Sequence, residues 1–303
     1  MLIRDWQGWP PGALHLAVGV FDGVHRGHQA LVRHLREDAQ SAGARPVAAT
    51  FDPLPIEVLA PHAPPSALTD AEERVTLLRS AGAAAVVVFT FDQTFAAMSA
   101  REFVERILGA GEVRRIVVGG DFRFGRGREG DVGTLRALAG ERGATVEVVD
   151  AVVARGEAVS STRIRNALLA GDVRGASELL GRPHAVPGRV AHGDRRGRAL
   201  GYPTINVATP RQRLLPRDGI YATWVEMGAT RYAAASSLGV RPTFGGTERL
   251  LESYLLDFSG EVYGESVRVA FVERIRDELR FDSADALVER IARDVEATRR
   301  ALG

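Results

Sequence analysis

The sequence contains neither cysteine nor lysine. Without cysteine, disulfides, thiolate nucleophiles and cysteine-ligated metals are excluded, and we expect a cytoplasmic protein. All 39 basic residues are therefore arginines. Because a Walker A loop and a protein-kinase fold both place a lysine on the phosphates, both are excluded, as is Schiff-base chemistry. Any bound nucleotide must be held by glycines, helix N-termini, histidines and arginines.

Charge imbalance and long apolar runs are also absent. The net charge is +1 and charged residues make up 25% of the chain, which indicates neither a nucleic-acid surface nor a membrane surface. We expect no signal peptide and no membrane span, because no apolar segment is long enough. The 303 residues suffice for two domains.

The first half of the chain alternates short apolar runs with amphipathic segments, which predicts βαβ units and a parallel sheet. In such a sheet the ligand lies at the carboxyl ends of the strands. The predicted strands are Leu14–Val18, Pro46–Thr50, Ala84–Phe89, Arg115–Val118 and Thr145–Val149. The predicted helices are Gln29–Ala42, Ala71–Ala81, Ala100–Leu108, Thr134–Arg142, Thr162–Ala170 and Val173–Leu180.

After residue 183 the pattern changes to short alternating runs separated by glycine and proline, which predicts a small antiparallel barrel or sandwich. The predicted strands are Gly188–Ala191, Thr204–Val207, Ile220–Glu226, Tyr232–Ser237, Leu251–Asp257 and Ser266–Phe271. A final helix, Ala284–Leu302, follows the capping pair Asp282-Ser283. We place the domain boundary between residues 182 and 183.

The segment Gly19–His28 reads G-V-F-D-G-V-H-R-G-H and lies between the first predicted strand and helix. Free N–H groups and the helix dipole favour an anion at such a turn, and glycines let backbone approach phosphate closely. A strand–turn–helix with incidental histidines is the alternative. Two glycines, an aspartate and both histidines in one turn favour a nucleotide site, with His25 and His28 as candidate catalytic residues.

These residues resemble the G-x-F-D-G-x-H-x-G-H signature of the nucleotidyltransferase superfamily. Later motifs narrow the resemblance to the bifunctional riboflavin kinase/FMN adenylyltransferases, the prokaryotic FAD synthetases. The family implies a Rossmann-like N-terminal adenylyltransferase domain with a parallel sheet, residues 1–182. It further implies a C-terminal riboflavin-kinase-like antiparallel β-barrel with a terminal helix, residues 183–303.

Three further motifs of the first half resemble those of the family. Segment 50–55 reads T-F-D-P-L-P, in which Leu54 replaces the usual histidine. Gly119–Gly125 implies flavin binding by Asp121, Phe122 and Phe124, and Ser160–Arg165 implies phosphate binding, with helix capping as the alternative for its hydroxyls. Taken together, the expected ATP contacts are Gly19, Phe21, Asp22, Gly23, His25, Gly27, His28, Ser161, Thr162 and Arg165.

Segment 125–130 matches G-x-G-x-x-G literally. The glycines begin well past the strand end and arginines crowd the turn, so the segment is not a dinucleotide-binding fingerprint. We interpret it as a mobile loop over the active site.

In the second half, Gly188–Arg198 followed by Gly201–Asn206 resembles a riboflavin kinase flap and its G-x-P-T-A-N motif, with Ile205 replacing alanine. Thr204 and Asn206 lie two apart, so both point to one side of a strand and could bind Mg²⁺ together with phosphates and water. An ordinary turn is the alternative. The implied ATP contacts are Gly188, Gly193, Gly197, Arg198, Gly201, Pro203, Thr204 and Asn206.

The motif Glu252–Phe258 completes the resemblance. In the family its glutamate is the base that acts on the riboflavin 5′-hydroxyl, which here is Glu252; alone, it would pass for an exposed strand residue. Arg280 and Phe281 resemble a stretch near the flavin. The resemblance therefore implies phosphorylation of riboflavin to FMN and adenylylation of FMN to FAD, with ATP, riboflavin and FMN as substrates and Mg²⁺ as cofactor.

Two other functions remain open from the sequence. Because Leu54 departs from one adenylyltransferase motif, the chain could be a riboflavin kinase whose N-terminal domain is inactive or repurposed. It could also be a flavin-binding regulator, although the metal and base positions argue against this. The sequence does not indicate an oligomeric state.

Overall fold

The computed structural model describes residues 1–64, 66–192, 201–243 and 246–303, and side chains are described outside 241–248. The chain divides into unit 1, residues 1–161, and unit 2, residues 162–303. Gly193, Gly197 and Arg198, which the sequence predicts to contact ATP, lie outside the described residues.

Unit 1 contains a six-stranded sheet in which every pairing is parallel, as predicted. Its strands are β1 (Leu2–Arg4), β2 (Leu14–Val18), β3 (Arg45–Asp52), β4 (Ala85–Thr90), β5 (Val113–Gly119) and β6 (Thr145–Val149). They are ordered β1–β4–β3–β2–β5–β6. The order reverses at β2, and ligands of such sheets bind at the carboxyl ends of the strands beside this point.

In the described part of unit 1, six helices connect these strands, and a two-stranded hairpin follows β6. The helices are α1 (Arg26–Ser41), α2 (Pro55–Leu59), α3 (Ala71–Ala81), α4 (Gln93–Ala96), α5 (Ala100–Ala110) and α6 (Val132–Gly140). The hairpin pairs β7 (Val153–Ala154) with β8 (Glu157–Ala158). Both faces of the sheet are covered: Leu16 packs into one core with Phe103, and Ala17 packs into the other with Val32. This explains the continuously apolar strands.

Two helices and a barrel follow. Helix α7 (Ser161–Ala170) begins at the last residue of unit 1, and α8 (Val173–Leu180) ends at Gly181 in the left-handed conformation. The barrel strands are β9 (His184–Ala191), β10 (Thr204–Ala208), β11 (Gly219–Met227), β12 (Thr230–Thr243), β13 (Gly246–Leu255) and β14 (Ser266–Arg276). They close in the order β10–β13–β12–β11–β14–β9, with every pairing antiparallel, which confirms the predicted barrel.

The inner face of the barrel is marked by a chain of three buried hydroxyls. The Ser236 Oγ lies 2.6 Å from Thr223 Oγ1 and 2.7 Å from Ser253 Oγ, and all three residues are fully buried. Since side chains alternate along a strand, the neighbours of Ser253 on β13 point to the outer face. Glu252 is therefore an outward-facing residue.

The terminal helix α9 (Ala284–Leu302) begins with Ser283 as its N-cap, as predicted. It is joined to the barrel by a buried ion pair, in which Arg276 donates from Nε and Nη2 to the carboxylate of Asp294 at 2.9 and 2.6 Å. Arg276 belongs to β14, so the pair fixes α9 against that strand. The Arg276 guanidinium and the Asp294 carboxylate thus form a charge-assisted pair with two hydrogen bonds.

Candidate active sites

A cavity of about 450 Å³ opens in unit 1 at the carboxyl ends of the parallel strands. Val18 and Gly119, the last residues of β2 and β5, both line it, and these are the strands at which the sheet order reverses. The predicted site residues that line this cavity are Gly19, Phe21, Asp22, His28, Asp121, Phe122, Phe124 and Ser161. The structure thus brings motifs from three separate stretches of sequence to one cavity.

The two histidines of the glycine-rich turn differ in their surroundings. His25 is the N-cap of α1, and its Nδ1 accepts a hydrogen bond from the His28 backbone N–H at 3.3 Å. Because this nitrogen is an acceptor, a neutral His25 ring carries its proton on Nε2. The two rings stack with centroids 3.5 Å apart, and His28 lines the cavity.

His28 is held in its uncharged form. Burial, the His25 ring and the Arg74 guanidinium, in that order, lower the pKa of His28 well below its usual value of 6.5. The Nδ1 atom is buried and has no hydrogen-bond partner among the described residues. A neutral imidazole with one N–H is therefore the form available to a ligand in the cavity.

Backbone conformation and packing favour glycine at two positions of the turn. Gly23 has φ = 82°, a conformation that side chains disfavour, and its N–H donates to Thr69 Oγ1 at 3.0 Å. A Cβ at Gly27 would lie 3.1 Å from the His25 ring. Both glycines therefore shape the turn, and their contact with ATP stays a prediction.

Asp22 anchors the turn to the segment before α3. Its carboxylate accepts hydrogen bonds from the backbone N–H of Leu68 at 3.0 Å, the backbone N–H of Thr69 at 3.0 Å and the Thr69 hydroxyl at 3.1 Å. Ser161 Oγ donates to the Asp22 carbonyl oxygen at 2.9 Å. One buried aspartate thus fixes the glycine-rich turn, and its side chain acts as an acceptor for protein groups.

Replacing Asp22 by alanine is expected to lower the free energy of unfolding of unit 1 by about 3 kcal/mol, because buried donors lose a charged acceptor. Unit 1 can be followed by tryptophan fluorescence in a Trp224→Phe background, in which the remaining tryptophans are Trp6 and Trp9. The control is Asp131→Ala, which removes the exposed N-cap of α6 and should cost about 1 kcal/mol. Equal losses in the two variants would contradict an anchoring role for Asp22.

One wall of the cavity is aromatic. We define the aromatic wall as Phe51, Phe91, Phe95, Phe103, Phe122 and Phe124, all of which line the cavity. Phe122 and Phe124 stack at 5.4 Å, and Phe51 meets Phe91 at 5.8 Å and Phe95 at 5.5 Å. Such a surface fits a flat aromatic ligand. Of the aromatic wall, only Phe122 and Phe124 are flavin contacts predicted from the sequence. The position of Phe91 just after a predicted strand was the available signal for the others.

Leu54 does not belong to the lining of this cavity. The residue is buried, acts as the N-cap of α2 and donates from its backbone N–H to Glu57 Oε2 at 2.7 Å. Its neighbour Pro55 lines the cavity instead. The departure from the family motif at Leu54 therefore falls behind the cavity surface.

Segment 125–130 forms a short closed loop. Phe124 and Gly130 pair as an isolated antiparallel bridge, and the Glu129 carboxylate accepts from the Ala100 N–H at 2.8 Å. Gly125, Gly127 and Arg128 line the cavity. The loop thus lines the cavity and is tied to the start of α5, and its predicted mobility stays a prediction.

Thr162 and Arg165 lie on α7 within unit 2. Their contact with ATP is a prediction that rests on the motif alone.

In unit 2 the strand register brings the predicted metal and base residues together. Thr204 pairs with Tyr254 and Asn206 pairs with Glu252 across β10 and β13. Directly opposed residues of antiparallel strands project to the same face, so these four side chains share the outer face of the barrel. Ile205 pairs with Ser253 on the opposite face, as predicted. An amide, a hydroxyl and a carboxylate are therefore neighbours.

A second cavity, of about 280 Å³, lies at the start of β10. Pro203, Thr204 and the segment 258–263 line it, as does Ile205 from the other face of the strand, whereas Asn206 and Glu252 do not. Gly188 is required where β9 and β10 approach, because a Cβ would lie 2.6 Å from the Ala208 carbonyl oxygen. Gly201 has φ = 81°, a conformation that favours glycine.

The two predicted flavin contacts of unit 2 follow strand β14. Arg280 is exposed and Phe281 is half-buried, with the Arg276 guanidinium carbon 5.9 Å from the Phe281 ring centre.

Two features are absent from the described residues. No cluster of three or more His, Cys, Asp or Glu side chains that could hold a metal occurs there. Within the same part of the chain, no helix has both the length and the apolar character needed to cross a membrane.

Comparison with known proteins divides the chain as the motifs do. The family model described as FAD synthetase matches residues 11–163, and the one described as riboflavin kinase matches residues 180–302. The bifunctional riboflavin kinase/FMN adenylyltransferase of Pseudomonas fluorescens is 41% identical over 93% of this chain and 91% of its own length. The protein of the same name from Escherichia coli strain K12 is 38% identical over 96% and 94%.

A solved structure has the same fold throughout. A crystal structure described as a macrolide-efflux protein from Streptococcus pneumoniae superposes with a TM-score of 0.90 at 34% identity, covering 98% of both chains. The likeness concerns the fold, and efflux is said of that protein only. Both family models and both named relatives support the bifunctional interpretation over the kinase-only alternative. The chain belongs to the family of bifunctional riboflavin kinase/FMN adenylyltransferases.

Proposed function

We propose that the cavity of unit 1 adenylylates FMN with ATP, giving FAD and pyrophosphate, and that the barrel of unit 2 phosphorylates riboflavin with ATP, giving FMN. The observation that carries the first assignment is one cavity with His28 at the glycine-rich turn and an aromatic wall. The second assignment is carried by the shared face of Thr204, Asn206 and Glu252.

In unit 1 we place the ATP phosphates at the turn, near His28 and Ser161, and the FMN ring against the aromatic wall. An oxygen of the FMN phosphate attacks the α-phosphorus of ATP, a P–O bond forms, and the bond to pyrophosphate breaks. Charge grows on the α-phosphate during this step. The neutral His28 ring donates a hydrogen bond to it, and His25 holds that ring by stacking.

In unit 2 we place the ATP phosphates in the smaller cavity beside Thr204 and Pro203. Glu252 accepts the proton of the riboflavin 5′-hydroxyl as the γ-phosphoryl group is transferred to that oxygen, and ADP leaves. Arg280 and Phe281 would contact the flavin. These roles follow the family motif and the cross-strand pairing of Glu252 with Asn206.

The oxygen donors of Thr204 and Asn206 fit Mg²⁺, which prefers oxygen ligands and retains much of its water. When bound there, Mg²⁺ supplies charge neutralisation for the transferred phosphate. Neutral side chains suffice as protein ligands because the phosphates bring the negative charge.

We also propose functional domains at residues 1–182 and 183–303, which is consistent with a riboflavin kinase match beginning at residue 180. The substrates are small molecules, with no nucleic-acid or membrane partner, and we place the enzyme in the cytoplasm.

Product analysis by chromatography tests this proposal on the unaltered protein. One reaction contains riboflavin, ATP and Mg²⁺, and a parallel reaction contains FMN, ATP and Mg²⁺. We expect FAD in both. Accumulation of FMN in the first reaction, with FAD in neither, would show that the cavity of unit 1 does not perform adenylyl transfer, and absence of turnover in both would leave a flavin-binding regulator.

A further inference from the structure

Gly239, on β12, lies where the carboxylate of Glu278 meets the barrel. A Cβ at Gly239 would be 2.5 Å from Cδ and 2.7 Å from Oε2 of Glu278, so a side chain at this position would occupy the space of the carboxylate. Gly239 is not among the glycines with a positive φ. Close approach, rather than backbone conformation, therefore accounts for the glycine.

The strand register shows on which face of the barrel this carboxylate lies. Ser236 belongs to the buried hydroxyl chain of the inner face, so Ser237 and Gly239 face outward. Ser237 pairs with Glu252, which makes Gly239 the diagonal neighbour of Glu252, about 7–8 Å away between Cα atoms. The carboxylate of Glu278 thus takes the place of a side chain beside Glu252.

The carboxylate of Glu278 is open to a ligand. The residue is exposed, and none of the described residues donates a hydrogen bond to it; partial burial and the Asp218 carboxylate raise its pKa, while the Arg276 guanidinium lowers it. Arg276 directs its nitrogens to the Asp294 carboxylate and the Asp277 carbonyl oxygen. The oxygens of Glu278 are therefore acceptors that the described part of the chain does not use.

Glu278 lies between residues assigned to the two ends of riboflavin. Glu252, its neighbour on the barrel, is the proposed base at the 5′-hydroxyl. Arg280 and Phe281, the predicted flavin contacts, follow Glu278 within the segment 277–283 that joins β14 to α9. In riboflavin the ribityl chain joins the 5′-hydroxyl to the ring and carries the 2′-, 3′- and 4′-hydroxyls. An ionised carboxylate, which only accepts hydrogen bonds, suits such donors.

We infer that Glu278 is a further substrate-binding residue of the kinase reaction: its carboxylate accepts a hydrogen bond from the 2′-, 3′- or 4′-hydroxyl of the ribityl chain while the 5′-hydroxyl lies at Glu252. The inference rests on the proposed placement of riboflavin at the outer face of the barrel. Glu278 selects for the hydroxylated chain and takes no part in phosphoryl transfer, for which Glu252 is the base.

Steady-state kinetics of the full-length chain test the contact. We expect Glu278→Ala to raise the KM for riboflavin by roughly 10-fold, as expected for loss of a hydrogen bond to a charged group. The KM for ATP should be unchanged, kcat far less affected, and FMN adenylylation normal. The control is Glu289→Gln on α9, where Glu289 is exposed and paired with Arg293; both activities should be retained. A normal KM for riboflavin in Glu278→Ala would overturn the inference.

Gly239→Ala provides a second test, in which the carboxylate is kept but moved. The new Cβ displaces only the end of a flexible side chain, so the barrel should still fold while the carboxylate leaves its place beside Glu252. We expect the same rise in the KM for riboflavin as with Glu278→Ala, and no further rise when the two substitutions are combined. Additive effects would show that the two residues act separately and would contradict the inference.

Riboflavin analogues that lack the 2′-, 3′- or 4′-hydroxyl identify the contact. One analogue should show kcat/KM roughly 10-fold below that of riboflavin with the unaltered protein, whereas Glu278→Ala should use both alike, because the contact is already lost. Equal discrimination among the analogues by the two proteins would overturn the inference. Full riboflavin phosphorylation by Glu252→Gln would instead contradict the proposed placement of riboflavin, and with it the proposed kinase site.

Discussion

Replacing His28 by alanine is expected to lower the rate of FMN adenylylation by roughly 10²–10³-fold, the usual cost of losing one donor to the charge that develops in a transition state. His28 lines the unit 1 cavity and is kept neutral by burial, by His25 and by Arg74. Among the residues that the structure describes, no other histidine lines that cavity, so no second imidazole is in place to replace it. Riboflavin phosphorylation should continue unchanged.

His34→Ala provides the control for this substitution. His34 lies on the same helix, where its Nε2 is 2.8 Å from Glu147 Oε1, and it does not line the cavity. FAD formation from FMN should therefore be retained. Chromatographic rates for both reactions, measured on both variants, decide the question: an equal loss in the two variants, or normal FAD formation by His28→Ala, would remove His28 from its proposed role.

Replacing Glu252 by glutamine is expected to lower riboflavin phosphorylation by roughly 10²–10⁴-fold, because the amide cannot accept the hydroxyl proton. The side chain is nearly isosteric, so the barrel should keep its register. Glu252 lies opposite Asn206 on the outer face of the barrel, beside the hydroxyl of Thr204. FMN adenylylation should be unaffected.

The matched control is Glu226→Gln, on strand β11 of the same barrel, where Glu226 forms an ion pair with Arg268 at 3.6 Å. Its loss should leave both activities near normal, since exposed pairs contribute little. Initial rates of FMN formation distinguish the variants. Full phosphorylation by Glu252→Gln would exclude this carboxylate as the base.

The sequence predicted the long, strongly periodic elements of the fold well. Helices Ala71–Ala81, Val173–Leu180 and Ala284–Leu302 have the predicted bounds, because their caps and apolar spacing are local. Strand β1 was missed, since three residues carry no period and the strand exists only through its pairing with β4. The short helices α2 and α4 were missed for a similar reason.

The candidate site was predictable where a motif is continuous in sequence and not where it depends on distant partners. His28 and the Phe122–Phe124 pair were found from local motifs and line the cavity. The anchoring role of Asp22 depends on Leu68 and Thr69, 46 and 47 residues away. Arg74 reaches Phe51 across 23 residues, and nothing in its local sequence indicates a buried cation.

We propose that two separate sites act in sequence on the flavin. Supplying riboflavin, ATP and Mg²⁺ to His28→Ala and Glu252→Gln, alone and mixed, tests this proposal. We expect FMN from the first variant alone, unchanged riboflavin from the second alone, and FAD from the mixture, because FMN made by one protein is used by the other. FAD from either variant alone, or a mixture that stops at FMN, would contradict the assignment of the two reactions to these two sites.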